Sequence, residues 1–180
     1  MSKAYRLIYA DPPWKYSDKS MHRGGAQRHY STLSLSDLKK FELPADENSV
    51  LLMWVTFPML QEAFEVMKAW GFKYKTVAWV WVKGKEGGKL SMGMGHYTRS
   101  NAEMCLLGVK GKGVPRQCAS ILNVQTAPRE QHSKKPDKFY ELIETLFGDV
   151  SRIELFARQR REGWDAHGLE VENGVSLGVA

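Results

Sequence analysis

The sequence predicts an α/β protein, one sheet with helices packed on it. Three observations predict it. Short runs rich in β-branched and aromatic residues alternate with helical patterns along the chain. Hairpin signals between those runs are few. At 180 residues the chain is long enough for a single domain with one sizeable core.

Tyr5-Arg6-Leu7-Ile8-Tyr9, the first element, alternates as a strand does. Pro12 and Pro13 stop its ladder, because neither has a backbone N–H to give. Residues 15–35 read as a long, basic loop carrying Lys15, Lys19, His22, Arg23, Arg28 and His29. Ser36 to Phe41 reads as a short helix capped by Ser34 or Ser36, ended by Pro44. Val50 to Thr56 is an apolar run of strand length. Pro58 through Trp70 reads as a helix whose buried face carries Leu60, Phe64 and Met67, with Gly71 as terminator. Tyr74 to Val82 is a strand with Trp79 and Trp81 on one face, where they read as core. Residues 83–98 are too glycine-rich for a regular element and hold Lys85 and His96.

Asn101 to Val109 is the next strand. Glu103 at its mouth has two readings, a substrate ligand or a structural acceptor. Lys110, Lys112 and Arg116 make a third basic loop, and Ile121 to Val124 reads as a short strand. Pro136 opens an amphipathic helix buried through Phe139, Leu142, Ile143, Leu146 and Phe147, ended by Gly148. Lys135 therefore stands at a helix start, where a lysine can hold a carboxylate or simply cap in solvent. Arg152 to Phe156 is the last strong strand, and Glu154 within it needs a partner. Arg158, Arg160 and Arg161 come next, then Gly163 to Glu170. One domain over 1–173 and a flexible tail over 174–180 is the expected organisation.

Composition narrows the function classes. Six Trp, seven Tyr and seven Phe make the chain too aromatic for a disordered one. The formal net charge of +6 favours a polyanionic partner. No apolar run reaches the ~20 residues of a membrane-spanning helix, so no membrane partner is expected. Two cysteines are too few for a disulfide framework, and no metal-ligand spacing is present. The opening Met1-Ser2-Lys3-Ala4 lacks the apolar core of a signal peptide, so a cytoplasmic location is expected.

Asp11-Pro12-Pro13-Trp14 carries the most chemistry. It places a carboxylate, two proline carbonyls and a large flat ring at the end of a strand, where open α/β sheets bind ligands. An exocyclic amine on adenine is a poor nucleophile, because its lone pair is delocalised into the ring. Two acceptors aimed at its two hydrogens would draw the nitrogen toward tetrahedral geometry. Asp11 offers a carboxylate, and Pro12 offers a carbonyl on a chain whose φ is already fixed. Trp14 or Tyr16 could stack on the base, worth about 1–3 kcal/mol. The plainer reading is a rigid turn after a strand, with Trp14 as a core anchor.

This motif looks like the catalytic motif of S-adenosylmethionine-dependent amino-methyltransferases. More narrowly, the chain resembles the MT-A70 family of N6-adenine methyltransferases. The resemblance continues in family order through Leu52-Met53-Trp54-Val55-Thr56, Trp79-Val80-Trp81-Val82-Lys83, Glu103 to Gly111, His132 to Asp137 and Glu154-Leu155-Phe156-Ala157-Arg158. It implies a Rossmann-like methyltransferase sheet in permuted order, catalytic half first and cofactor half last. It implies S-adenosylmethionine as cofactor, with Lys135 on its carboxylate and Arg158, Arg160, Gly168 and Glu170 around its ribose and backbone contacts. Asp11, Pro12, Pro13 and Trp14 become the catalytic set, Asp11 also touching the cofactor. Tyr16, Lys19, Arg23, Arg28, His29, Lys85, His96, Glu103 and Lys112 become candidate substrate contacts.

Leu169-Glu170 stands where eukaryotic RNA-modifying members carry Asn-Gln, a departure that weighs against the RNA branch. The expected partner is DNA, with RNA as the same-class alternative. A phage, prophage or bacterial origin fits the small size, and a homo-oligomer or partner subunit is compatible with it. Two rivals remain: a catalytically silent nucleic-acid-binding partner subunit, and a glutamine or cytosine amino-methyltransferase.

Overall fold

A computed structural model describes residues 3–15, 32–95, 97–130, 134–168, 171 and 178–179. The elements are β1 (Tyr5–Ala10), α1 (Leu35–Lys39), β2 (Phe41–Glu42), β3 (Ala45–Val55), α2 (Leu60–Ala69), β4 (Lys73–Lys83), β5 (Ala102–Lys110), β6 (Val124–Ala127), α3 (Lys138–Phe147), β7 (Arg152–Leu155), β8 (Asp165–His167) and β9 (Gly178–Val179). A 3-10 turn over Phe57–Met59 leads into α2.

Among the described residues the strands form one mixed sheet in the order β6-β4-β5-β3-β1-β7-β8, and β2 pairs with β9 in a separate ribbon. β1 lies parallel to β3 and β7, β7 parallel to β8, and β4 parallel to β6. β5 alone runs against its neighbours β3 and β4. This is the Rossmann-like, permuted arrangement, with the first strand beside the last strong one. The reversal has a consequence for the site: β5 delivers its first residues, not its last, to the carboxyl edge of the other strands.

Both faces of the sheet are covered. Ile8, Leu51, Met53, Leu106, Ile153 and Leu155 pack with Leu38 of α1 and Ala63, Val66 and Met67 of α2. Leu7, Tyr9, Leu52, Trp54, Trp79, Trp81 and Cys105 pack with Phe139, Tyr140, Ile143 and Phe147 of α3. Alternate residues of one strand therefore enter opposite cores, as the two-residue period requires. Trp79 and Trp81 are buried core, and Tyr9 accepts a hydrogen bond from Trp54 Nε1 at 2.6 Å.

Several boundaries differ from the sequence reading. β3 starts at Ala45, before its apolar run, because the polar stretch Asp46-Glu47-Asn48 still extends along the sheet. Ser34 is the α1 cap, accepting from the Asp37 N–H at 3.1 Å. Phe64 leaves the buried face of α2 and meets Tyr74 edge-on at 5.0 Å, while Ala63, Val66 and Met67 take the core. β6 falls at Val124–Ala127 rather than from Ile121, since Leu122 and Val124 are exposed and pairing with β4 starts at Val124. Pro136 stands two residues before α3, and Asp137 between them is its cap. Residues 172–177 lie outside the described set, and Gly178–Val179 beyond them pairs antiparallel with Phe41–Glu42. Among the described residues no helix is long and apolar enough to cross a membrane.

Candidate active site

The site assembles at one edge of the sheet, where β1, β3, β4, β5, β7 and β8 meet. Ala10 at the end of β1 pairs with Met53 and with Leu155, so Asp11 emerges between β3 and β7. Val82 near the end of β4 pairs with Ala102, which puts Lys83 and Glu103 at the same edge. Leu155 pairs with His167, bringing Arg158 and Gly168 there as well.

The two prolines shape the turn beyond Asp11. The Pro12 carbonyl accepts the Trp14 N–H at 2.8 Å, closing a three-residue turn, and the Pro13 carbonyl accepts the Leu33 N–H at 3.0 Å. A carbonyl has two lone pairs, so Pro12 retains one. Trp14 is a correction to the stacking role expected of it. Its ring is 5% exposed, lies in the core on the α1–α2 side, and donates Nε1–H to the Trp54 carbonyl at 3.1 Å. Burial and that hydrogen bond make it the anchor of the turn that carries Asp11.

Lys135 is the centre of the electrostatics. It is 8% exposed, and its Nζ reaches Asp11 Oδ2 at 2.8 Å and Glu103 Oε2 at 3.1 Å. It also sits 5.5 Å from the Trp54 ring centroid, a cation–π distance. The solvent-capping alternative for this lysine is therefore excluded by its burial. Lys83 Nζ closes on the other oxygen of Glu103, Oε1. Burial works to lower the Lys135 pKa, but the carboxylates of Asp11 and Glu103 outweigh it and hold the value above that of an ordinary lysine. Burial likewise works to raise Glu103, and Lys135 with Lys83 outweighs it, so Glu103 is held below the ordinary glutamate value. Lys135 stays an ammonium and cannot serve as a base near neutral pH.

Glu154 finds the partner its sequence position demands: Tyr140 Oη donates to it at 2.9 Å. Burial, with Asp11 adding to it, raises its pKa from 4.5 to about 7, against the pull of Tyr140, Arg161 and Lys134. Arg161 lies over the Tyr140 ring at 4.5 Å and pairs with Asp137 at 3.3 Å. Just beyond β7, Phe156 has φ +62°, a left-handed backbone that a side-chain-bearing residue adopts at a cost. A Cβ on Gly168 would meet the Ala157 carbonyl oxygen at 2.0 Å, so the approach this glycine permits is that of its own chain.

The structure thus brings together Asp11, Glu103 and Lys135, with Arg158 and Gly168 on the same edge, whereas the charge of Arg160 acts on Asp165 at the start of β8. Lys85 is exposed just past β4, also at the edge of Asp11. Lys112 is not brought there. It lies past the carboxyl end of the reversed strand β5, at the opposite edge, where its N–H donates to Asn48 Oδ1 at 2.8 Å. Tyr16, Lys19, Arg23, Arg28, His29, His96 and Glu170 lie outside the described residues. Sequence reasoning missed Lys83 as a member of the cluster; its position at the end of an apolar strand was the available signal. Among the described residues no group of three or more His, Cys, Asp or Glu could hold a metal ion.

Comparison with known proteins agrees with this geometry. The Type II methyltransferase M.MunI of Mycoplasma sp is 34% identical over 196 residues, covering 97% of this chain and 82% of that protein. The N(6)-adenosine-methyltransferase catalytic subunit METTL3 of Homo sapiens is 28% identical over 178 residues, covering 96% of this chain but 29% of that protein. A probable N(6)-adenosine-methyltransferase MT-A70-like protein of Oryza sativa is 28% identical, with 24% of its length covered. The chain thus spans most of the Mycoplasma protein and under a third of these two eukaryotic ones. The MT-A70 family profile matches residues 5–170, and the chain belongs to that family.

Proposed function

We propose that this chain transfers a methyl group from S-adenosylmethionine to the N6 amino group of adenine in a nucleic acid. The observation that carries the reading is the Asp11 carboxylate, delivered by a proline-locked turn to the sheet edge and paired with a buried ammonium. The chemistry of the edge fits the donor. Lys135 suits its carboxylate, Arg158 stands where its ribose is expected, and Asp11 and Glu154 suit its cationic groups. Two N–H bonds of Lys135 go to Asp11 and Glu103, leaving the third for that carboxylate. When bound, the donor supplies an electrophilic methyl group on a sulfonium.

The protein's own contribution is orientation and charge. Asp11 and the remaining lone pair of the Pro12 carbonyl accept the two amino hydrogens. Those hydrogen bonds strengthen as positive charge develops on nitrogen, which favours the transition state over the ground state. Cys105 is buried, and burial pushes its thiol well above the ordinary range, which fits direct transfer without a covalent enzyme intermediate. In a duplex, the base has to leave the stack first, at a cost of a few kcal/mol.

Two polymers fit, and each has one observation behind it. The relatives named for adenosine, from plants to mammals, favour RNA. The Mycoplasma relative, a Type II methyltransferase higher in identity and closer in length, favours the DNA substrate expected from the sequence. Tritiated S-adenosylmethionine offered with unmethylated duplex DNA, single-stranded DNA and RNA in parallel, followed by nucleoside mass spectrometry, decides between them. N6-methylated adenine in one pool identifies the polymer. Donor binding with no label in any pool would mean a missing partner subunit. Absence of both would sink the methyltransferase reading in favour of a silent nucleic-acid-binding subunit.

A further inference from the structure

Lys83 stands three strands away from Asp11 in the sheet order, yet the two belong to one row of alternating charge. Lys83 binds Glu103 Oε1, Lys135 binds Glu103 Oε2 at 3.1 Å, and the same Lys135 Nζ binds Asp11 Oδ2 at 2.8 Å. The four side chains are 17%, 12%, 8% and 24% exposed from Lys83 through Glu103 and Lys135 to Asp11, so solvent screens them poorly. Two cations and two carboxylates balance. We infer that Lys83 is a positioning residue for methyl transfer, acting through Glu103 to set where Lys135 stands beside Asp11. The inference rests on the reaction proposed above.

The physical argument concerns a shared carboxylate. Lys135 is drawn by Asp11 on one side and Glu103 on the other. Glu103 in turn divides its pull between Lys135 and Lys83. Without Lys83 the cluster carries one net negative charge, and the whole of Glu103 acts on Lys135. That ammonium then shifts off Asp11, and the acceptor that must aim at the substrate amine loses the partner that holds it. Displacements of about 1 Å at a reacting group can cost on the order of a hundredfold in rate.

Lys83 is itself firmly placed. Its ammonium lies 4.9 Å from the Trp81 ring centroid. Its backbone N–H donates to the Asn101 carbonyl at 2.8 Å, and its carbonyl accepts the Ser91 N–H at 2.7 Å. The residue thus ties the loop over residues 84–101 to the charge row that ends at Asp11.

The test uses the full chain with Lys83→Met and Lys83→Arg, each alone and combined with Glu103→Gln. The expected result for Lys83→Met is a kcat lowered about 10–100-fold, with calorimetric affinity for S-adenosylmethionine within about threefold of the wild type. Lys83→Arg recovers most of the rate. In the Glu103→Gln background, Lys83→Met costs nothing further, because the path through Glu103 is already cut. The acid limb of the kcat profile also moves to higher pH in Lys83→Met. Glu103 then faces only Lys135 as a cation, with Asp11 beyond it as an anion, and takes up a proton more readily.

An unchanged kcat overturns the inference, as do effects of the two substitutions that multiply in full. A nitrogen-15 spectrum of the lysine ammonium groups reads the same link without turnover. The Lys135 signal, identified by its loss in Lys135→Met, shifts in Lys83→Met or Lys83→Arg, and an unmoved signal in both overturns the inference. Should the wild-type protein neither bind S-adenosylmethionine nor label DNA or RNA, the methyltransferase reading falls, and the ammonium signal alone decides the role of Lys83.

Discussion

Replacing Glu154 by glutamine should make the protein more stable at alkaline pH and leave it unchanged in acid. Glu154 is 8% exposed on β7, between β1 and the edge strand β8, with the Tyr140 hydroxyl donating to it at 2.9 Å. Burial raises its pKa from 4.5 to about 7. The folded protein therefore holds this proton more tightly than the unfolded chain. Stability from the protonated acid is complete below the unfolded value and is lost as pH rises through the folded one. At 1.36 kcal/mol per pH unit, the interval from 4.5 to about 7 amounts to roughly 3 kcal/mol by pH 8. Glu154→Gln keeps the shape of the neutral acid, and its amide oxygen still accepts from Tyr140.

Urea unfolding near pH 4.5 and near pH 8 measures this. Wild type and Glu154→Gln should coincide at the lower pH and separate by up to about 3 kcal/mol at the higher, the variant being the more stable. An equal gap at both pH values, or a wild type that gains stability on going to pH 8 relative to the variant, would refute the reasoning. The same substitution should weaken binding of S-adenosylmethionine. A carboxylate that is costly to ionise where it stands, beside Asp11 at a ligand-binding edge, is tolerated when it does something for a cationic ligand.

Three further expectations concern the cluster and its support. Asp11→Ala should abolish transfer while leaving calorimetric donor affinity within about a few fold, since Lys135 keeps Glu103 as a partner; loss of folding or of donor binding would count against the assigned role. Lys135→Ala should cost roughly 3–5 kcal/mol in thermal unfolding, because two carboxylates lose their shared buried cation, and should weaken donor binding; an unchanged affinity would take Lys135 out of the donor site. Trp14→Ala should cost roughly 3–5 kcal/mol as a core cavity. Trp14→Phe should cost about 1 kcal/mol for the lost bond to the Trp54 carbonyl and retain transfer, and a collapse of kcat at unchanged stability would restore a stacking role.

The extent to which the sequence revealed this site depends on what each signal contains. Asp11 was legible because two prolines in succession end a strand by their own chemistry, without reference to the rest of the chain. The strands were legible because β-branched and aromatic runs carry their period locally. Direction is different: an apolar run reads the same whether its strand points up or down. The reversal of β5 therefore could not be seen, and with it went two placements. Glu103, at the start of that strand, is carried into the site, whereas Lys112, past its end, is carried to the far edge. Charge composition had treated both neighbourhoods alike.

Burial was equally hidden. Trp14 suits a base stack and a core anchor equally well as a residue type, and only its place in the core on the α1–α2 side decides. Lys135 and Asp11 are 124 residues apart, and nothing local to either announces the other. What was legible was the demand: a glutamate inside a buried strand needs a donor, and a lysine at a helix start can hold an anion. Tertiary packing supplied Tyr140 for the first, and Asp11 and Glu103 for the second. A demand for charge neutrality propagates in the same way. Once Asp11 is fixed beside a buried ammonium, that ammonium and its second carboxylate call for one more cation, and Lys83 at the end of β4 meets the need. The charge row is thus the physical consequence of placing one carboxylate where an amine has to be held.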